Sequence, residues 1–391
     1  MFFSKNSNYP IGLDISDLSL KLIQLRKAGN TIKVQALSRV SLEAGLIVDG
    51  EIKNKDGLIK KIKELISSPK YGKVSSNNIV ACLPETKTFI KLIEVEKTPN
   101  KLADIIETEI EKYVPFSIGE VYYDWQVIDS GQGQESILIG VIPKAIVNQY
   151  TDLFYETKLS IEALEIEQVA ICRALLREES PDFKKPYNKN YAIIDFGAAR
   201  TSLTVYSKNS ILFTVSMPIS GEKITDEIAK SLEIEKAQAE KAKIICGFDK
   251  NVADGIIEKI LSATIKELNV KISGALEFYN SHFSDHGPIN YIILCGGGAS
   301  IKGIDEIIKN SVPLEVKRGN ILENINIDKE DFNNLFSVDY NLNRNLLRKI
   351  NKNNYKQKER GNDLLVTQDS SLTYVTAIGL ALRGLFIQHI S

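Results

Sequence analysis

An offset of 181 residues brings two stretches of this 391-residue chain into register. Ile11-Gly12-Leu13-Asp14-Ile15 falls on Ala192-Ile193-Ile194-Asp195-Phe196, and a short loop of small or polar residues follows each acid. An alternating strand comes next in both copies, Leu20 to Leu25 and Thr201 to Tyr206. Turns at Ala28-Gly29-Asn30 and Lys208-Asn209-Ser210 then lead into third strands, Thr31 to Ala36 and Ile211 to Ser216. Period-two alternation broken by turn residues reads as β-turn-β-turn-β. One such unit is commonplace, but two, each with Asp at the end of its first strand, predict a duplicated domain. The length alone already asks for two cores.

Helical patterns follow in both halves, Gly57 to Ser67 and Glu222 to Leu232, so the class is α/β with mixed sheets covered by helices. With 49 basic and 50 acidic residues, a net charge of −1 and 43% hydrophobic residues, the chain is neither a general nucleic-acid binder nor disordered. No run approaches the roughly 20 apolar residues of a membrane span, and residues 1–5 are too short for a secretory signal, which makes the cytoplasm the expected compartment. Cys82, Cys172, Cys246 and Cys295 form no C-x-x-C pair and are expected as buried, reduced thiols. His282 and His286 have helical spacing around Asp285 but lack a third ligand, so a helix end is expected there rather than a metal site.

The first half contains a segment that reads as a module of its own, about 84–164. Helix Leu102 to Val114 opens at Thr98-Pro99, strands Val121 to Ile128 and Ser136 to Ile142 flank Gly131-Gln132-Gly133, and a helix Lys144 to Thr157 and strand Ile161 to Ile166 complete a β-α-β-β-α-β pattern. Its Tyr113, Val114, Phe116, Tyr122, Tyr123 and Trp125 concentrate aromatic surface suited to a peptide groove. The expected division is a first lobe over 1–190 holding that insertion and a second lobe over 191–371. The second lobe includes a basic, Asn/Lys-rich insertion at about 320–368. A terminal helix within 372–391 packs back on the core. The cluster Arg344, Arg348, Lys349, Lys352, Lys356, Lys358 and Arg360 reads as a solvated, partly disordered loop, with a contact for anionic lipid or an acidic partner as the sharper alternative.

Two facing loops of this kind can grip a polyphosphate. Asp14 and Asp195 would hold Mg²⁺ mainly through water, with Ser16, Ser19 and Lys21 approaching the phosphates from one side and Gly197, Ala198 and Thr201 from the other. A buried strand, Tyr291 to Cys295, runs into Gly296-Gly297-Gly298-Ala299-Ser300, which lets backbone approach a ligand closely. Neither a G-x-G-x-x-G nor a G-x-x-x-x-G-K-[ST] motif is present. Glu240 and Lys243 lie at i, i+3, as a contact for ribose or adenine or as a surface ion pair.

The order of the two Asp loops, Ser220-Gly221-Glu222-Lys223-Ile224-Thr225, Glu240/Lys243, Gly296-Gly297-Gly298-Ala299 and Ala377-Ile378-Gly379-Leu380-Ala381-Leu382-Arg383 resembles the actin-like ATPase superfamily. The insertion, with Glu167-Gln168-Val169-Ala170-Ile171-Cys172-Arg173-Ala174, looks like the PilM family of type IV pilus assembly, with the FtsA cell-division family as the nearest rival. The resemblance implies a duplicated actin-like (ribonuclease H-like) fold whose two lobes enclose an ATP and Mg²⁺ cleft, with weak or no ATPase activity. It puts Glu222, Lys223, Glu240, Lys243, Gly297 and Gly298 near ribose and base, and Glu167 where a related ATPase orients the attacking water. It implies a scaffold of the pilus, or related type II secretion, inner-membrane platform. That scaffold would bind the N-terminal tail of a PilN-like membrane protein beside the insertion, contact other platform proteins and sit peripherally at the cytoplasmic face of the membrane; self-association is left open. The alternatives are an FtsA-like filament protein and, further off, a small-molecule kinase of the same frame.

Where the superfamily usually reads D-x-G, this chain has Asp14-Ile15-Ser16, which requires a negative φ at the serine. Arg200 can supplement charge at the phosphates or point to solvent, and solvent is the expected choice.

Overall fold

The echo is realised as two sheets of one topology. A computed structural model describes residues 9–29, 31–96, 102–130, 133–176, 189–327, 329–342, 346, 349–350 and 364–387. The first lobe runs β1 (Ile11–Ser16), β2 (Ser19–Ala28), β3 (Thr31–Ser41), a hairpin of β4 (Ile47–Val48) and β5 (Glu51–Ile52), α1 (Lys55–Ser67), β6 (Tyr71–Gly72) and β7 (Asn78–Leu83). The insertion follows as β8 (Phe89–Glu96), α2 (Leu102–Tyr113), β9 (Val121–Ser130) and β10 (Gln134–Pro143). The lobe resumes with α3 (Lys144–Glu156), β11 (Ser160–Ile166) and α4 (Glu167–Leu175). The second lobe contains β12 (Asn190–Phe196), β13 (Thr201–Ser207), β14 (Ser210–Met217), α5 (Gly221–Leu232), α6 (Lys236–Cys246), α7 (Ile256–His282), β15 (Ile289–Cys295), α8 (Ile304–Lys309) and β16 (Glu315–Arg318). It closes with α9 (Lys329–Phe336), β17 (Ser337–Leu342), β18 (Leu364–Asp369) and α10 (Val375–Ile387).

Strand order β3-β2-β1-β7-β11 in the first sheet repeats as β14-β13-β12-β15-β16 in the second, antiparallel on one side of the central strand and parallel on the other. Even an irregularity recurs: the register slips at Gln24/Leu25 and again at Val205/Tyr206, the same 181 residues apart. The duplication read from three strands thus holds for five.

Apolar spacing explains the helices that flank these sheets. In α1, Asn54 caps the first turn by accepting from Gly57 N (2.9 Å), and Leu58, Ile62 and Leu65 form the buried stripe. The helix α10 is apolar on nearly every side, with Ala377, Ile378, Leu380, Ala381, Leu382 and Leu385 all buried, as expected of an element packed from several directions. It lies against α4, β1 and β2 and joins the large core of the second lobe to Ile23, Leu25 and Leu37 of the first. The lobes are therefore fused at their base, and the cleft between them opens at the ends of β1 and β12.

The insertion is smaller than its expected β-α-β-β-α-β form. Only β8, α2, β9 and β10 close on themselves, as a three-stranded sheet of order β8-β10-β9 under α2. The helix α3 turns Ile146, Tyr150, Leu153 and Phe154 into the first-lobe core, and β11 pairs with β7 in the main sheet, because their apolar faces match that core and not the module. Thr98-Pro99 and Gly131-Gln132 lie outside the described residues.

The segment 320–368 is likewise not a plain loop. Leu335 and Phe336 of α9 are buried, Phe336 against Tyr374, and β17 pairs with β18. Of the basic cluster, Lys349 is described; its Nζ donates to Leu232 O and Glu233 O at the end of α5 (2.5 and 3.0 Å), where an ammonium complements the helix dipole. Arg344, Arg348, Lys352, Lys356, Lys358 and Arg360 lie outside the described residues, as do 388–391. All four cysteines are free and buried, as expected.

Candidate functional site

The duplication carries Asp14 and Asp195 to the ends of the two central strands, facing one cavity of about 160 Å³. Asp14, Ser16, Ser19, Lys21, Glu167, Asp195, Gly197, Ala198 and Gly297 all line it, so most of the residues singled out in the sequence meet in one place.

The first loop is a two-residue turn. Ser16 pairs with Ser19, its hydroxyl donating to Ser19 O (3.0 Å) and lying 3.2 Å from Ser19 Oγ. Ser16 is absent from the residues with positive φ, so the turn does not need the glycine usual at this position. Directly across the strands, Lys21 Nζ donates to Asp14 Oδ2 at 2.7 Å, and Asp14 is 2% exposed. Lys21 is thus committed to the carboxylate, not free to reach outward.

The second loop closes through backbone. Gly197 N donates to Arg200 O (3.0 Å), and a Cβ on Gly197 would lie 2.7 Å from that oxygen, so only glycine fits. The carbonyls of Gly197 and Ala198 are taken by the first amides of α5, Gly221 N (3.2 Å) and Glu222 N (2.9 Å), and Ser220 Oγ donates to Ala198 O (2.7 Å). This satisfies a helix start that would otherwise leave orphan donors.

Asp195 makes no ion pair among the described residues. Burial lifts its carboxyl to about 6, the Lys21 charge opposes that rise and the Asp14 charge adds to it, while the Cys295 thiol hydrogen-bonds the carboxylate. Glu167, whose Oε1 accepts from Thr376 Oγ1 (3.4 Å), is held well above the carboxylate range by burial first and then by Asp14, Asp195 and Glu85. Three acids crowd a small, partly dry space with few cations. Such a donor set fits a hydrated divalent ion with polyphosphate, since hard oxygen ligands suit Mg²⁺ and the ion relieves the mutual repulsion. Among the described residues no three His, Cys, Asp or Glu side chains converge closely enough to form a metal site of their own.

Several predicted contacts lie elsewhere. Thr201 is buried and donates to Ile219 O. Gly298 sits behind Phe196, whose Cγ a Cβ would meet at 2.3 Å. Lys243 is 4% exposed and spends its three donors on Gly221 O, Thr225 Oγ1 and Glu240 Oε2 (2.9, 2.9 and 2.6 Å), holding the start of α5 instead of forming a surface pair. Glu222 pairs with Lys236 at 2.6 Å. None of these, nor exposed Lys223, lines the cavity. The glycine run forms a short 3-10 turn over Gly297–Ser300, and α8 begins only at Ile304.

Arg200 is partly exposed but not left free in solvent. Its NH2 binds Asp49 Oδ1 (2.9 Å) and its NH1 binds Ser216 Oγ (3.0 Å), which ties the second lobe to the β4–β5 turn of the first. That turn is in turn held by Asp17, whose carboxylate accepts Asp49 N (2.9 Å) and Gly50 N (3.1 Å), and by Thr86 Oγ1, which donates to Asp49 O (2.8 Å). Asp17, Asp49, Glu85 and Arg200 were not legible as a set, being far apart in sequence. Glu85 adds a carboxyl whose Oε1 is buried without a partner and which burial, and then the Asp195 charge, push up to about 7 against the opposing pull of Arg200 and a Ser216 hydrogen bond.

Beside this cleft lies a second cavity of about 610 Å³, walled by Ile90, Ile110, Tyr113 and Val114 of the insertion and by Thr214 of the second lobe; it shares Glu85, Thr86 and Arg200 with the cleft.

A family model described as type IV pilus assembly protein PilM matches residues 12–341. The cell division protein FtsA of Neisseria meningitidis serogroup B is 22% identical over 330 residues, covering 78% of this chain and 73% of that protein. The structure titled PilM-PilN type IV pilus biogenesis complex has a TM-score of 0.72 at 21% identity, covering 96% of this chain and 98% of that one. ADP-bound MreB5 of Spiroplasma citri has a TM-score of 0.50 at 14% identity, covering 81% and 95%. These likenesses show the actin-like ATPase fold.

Proposed function

The chain belongs to the family of the type IV pilus assembly protein PilM, and on that premise we propose that it is an ATP-binding scaffold of the pilus inner-membrane platform that holds the N-terminal tail of a PilN-like membrane protein. The observation that carries this reading is the sharing of Glu85, Thr86 and Arg200 by the acidic cleft and the larger cavity. One cavity suits phosphate with a divalent ion; the other, walled by Ile90, Ile110 and Val114, suits apolar side chains of an extended tail.

Asp195, which makes no ion pair among the described residues, would be the first to hold a hydrated Mg²⁺, with Asp14, already bound to Lys21, as a second support. When bound, Mg²⁺ neutralises phosphate charge. Ala198 and Gly297 offer backbone to the nucleotide. Burial, and then the neighbouring acids, hold the Glu167 carboxyl well above the usual carboxylate range, which makes it a weak candidate for a general base and fits weak or absent hydrolysis. A cleft of about 160 Å³ is well under the roughly 300 Å³ of a small ligand pocket. Admitting ATP therefore means parting the lobes at the Asp49–Arg200 bridge. Partners on the membrane would keep the protein at its cytoplasmic face, since no described helix is long and apolar enough to cross it.

Calorimetry of ATP with Mg²⁺ tests the reading. Binding that Asp195→Ala weakens about 100-fold, the scale of one lost charge-assisted ligand, supports the cleft. Equal affinity in wild type and variant removes Asp195 from the site, and a PilN-like tail peptide that binds without regard to an Ile90→Asp change removes the cavity.

A further inference from the structure

The aromatic group of the insertion divides between two surfaces. Tyr113 and Val114 wall the 610 Å³ cavity, whereas Tyr122 and Trp125 stand on β9, at the opposite edge of the three-stranded sheet. Among the described residues β9 pairs only with β10, so one flank of a ten-residue strand offers its amides and carbonyls outward. The register is unbroken from Val121 to Val127, the slip at Ser136/Ile137 coming only beyond it. Proteins usually blunt such an edge with Lys, Pro or a very short strand. Residues 121–130 contain neither Lys, Arg nor Pro, and they expose Tyr122 (48%), Trp125 (38%) and Val127 (42%). The Trp125 N–H turns to the neighbouring Asp124 carboxylate at 2.9 Å, a side chain standing where an added strand would bond.

Charge selects the occupant. Residues 89–143 hold ten Asp and Glu against four Lys, a net −6 in a chain whose total is −1. Two copies meeting edge to edge would set −6 against −6, which disfavours self-pairing, whereas a Lys- or Arg-rich segment is drawn in. The aromatic rings of the module already receive ammonium groups, Lys91 over Tyr113 and Lys144 at 5.4 Å from the centre of Tyr122. We propose that β9 is a docking edge for a basic, extended polypeptide segment, which adds as a fourth strand beside β9 and lays its cations beside Tyr122 and Asp124 on one face and its apolar side chains beside Trp125 and Val127 on the other. This surface is distinct from the tail cavity, which lies on the β8 side of the sheet.

Trp125 is the chain's one tryptophan, so its emission reports the edge directly. The probe is an octapeptide of alternating Lys and Val, set against a Glu-Val counterpart and a copy with alternate amides N-methylated, all titrated into the full chain. The proposal expects the Lys peptide to shift Trp125 emission, with affinity about tenfold weaker for each counterpart and for Val127→Lys protein of unchanged circular dichroism and melting temperature. A PilN-like tail peptide should leave that binding in place. Binding indifferent to N-methylation or to Val127→Lys, or no binding at all, overturns it. A dimer that Val127→Lys dissolves would assign the edge to a second copy instead.

Discussion

The two acid-bearing loops have one length and one strand register, yet their chemistry diverges at two positions. In each, the Asp lies opposite the residue seven positions on: Asp14 faces Lys21, and Asp195 faces Ser202. Lysine neutralises the first acid at 2.7 Å; serine leaves the second without an ion pair among the described residues, and burial lifts its pKa to about 6. Two residues after the acid, Ser16 closes its turn with a hydroxyl, while Gly197 closes its own with backbone too close for any side chain. Duplication followed by these exchanges lets one copy brace the cleft while the other keeps an unmet demand for positive charge. The thiols repeat the symmetry, Cys82 Sγ lying 3.7 Å from Asp14 Oδ1 and Cys295 beside Asp195, each on the parallel neighbour of its lobe's central strand.

Breaking the brace should have the largest effect. Lys21→Ala leaves a carboxylate that is 2% exposed without its partner and is expected to cost about 3–5 kcal/mol of stability in urea unfolding. A loss below about 1 kcal/mol would mean that Asp14 takes up another partner or a proton. Exchanging the third-position residues sharpens the contrast further. Gly197→Ser meets Arg200 O and should cost about 1–3 kcal/mol by overpacking, whereas Ser16→Gly loses only its hydroxyl contacts, about 0.5–1.5 kcal/mol; equal losses would show the loops to be interchangeable.

The Asp49–Arg200 bridge is half exposed, so Arg200→Ala should change stability by at most about 1 kcal/mol. Its effect belongs in kinetics: stopped-flow association of Mg-ATP should be faster in the variant because the lobes part more easily. Slower association would instead make Arg200 a phosphate ligand. The smallest effect is a pH dependence at Glu85. Its folded-state pKa of about 7 exceeds the ordinary 4.5, so the folded protein keeps this proton after the unfolded chain has lost it. That stability is full below about pH 4.5 and disappears as the pH rises through about 7. Glu85→Gln should therefore melt like wild type at pH 4.5 and above it at pH 8; coincident melting curves at both values would detach Glu85 from the cleft.

Most of the frame could be read from alternation and punctuation alone. Asp14 and Asp195 were found because a strand, an acid and a turn recur at one spacing, and local sequence sets all three. The module expected at about 84–164 took in α3 and β11, which pack with the first lobe. A helix carries its apolar stripe whichever core receives it, and Ile146, Tyr150 and Phe154 are received by the lobe. Lys243 was misjudged for a similar reason: helical spacing gives its partner Glu240 but cannot show that Gly221 and Thr225 bury it.

By itself, then, the sequence determined the duplication, the two acids, the need for two cores and the aromatic wealth of the insertion, because periodicity and turn chemistry are local properties of the chain. Only the tertiary structure decided which acid is neutralised, that Arg200 reaches across to Asp49, that the cleft and the larger cavity share a wall, and that β9 is left with an open edge. Those depend on residues such as Asp49, Glu85 and Arg200, which are placed together by strand order and domain packing and not by their spacing along the chain.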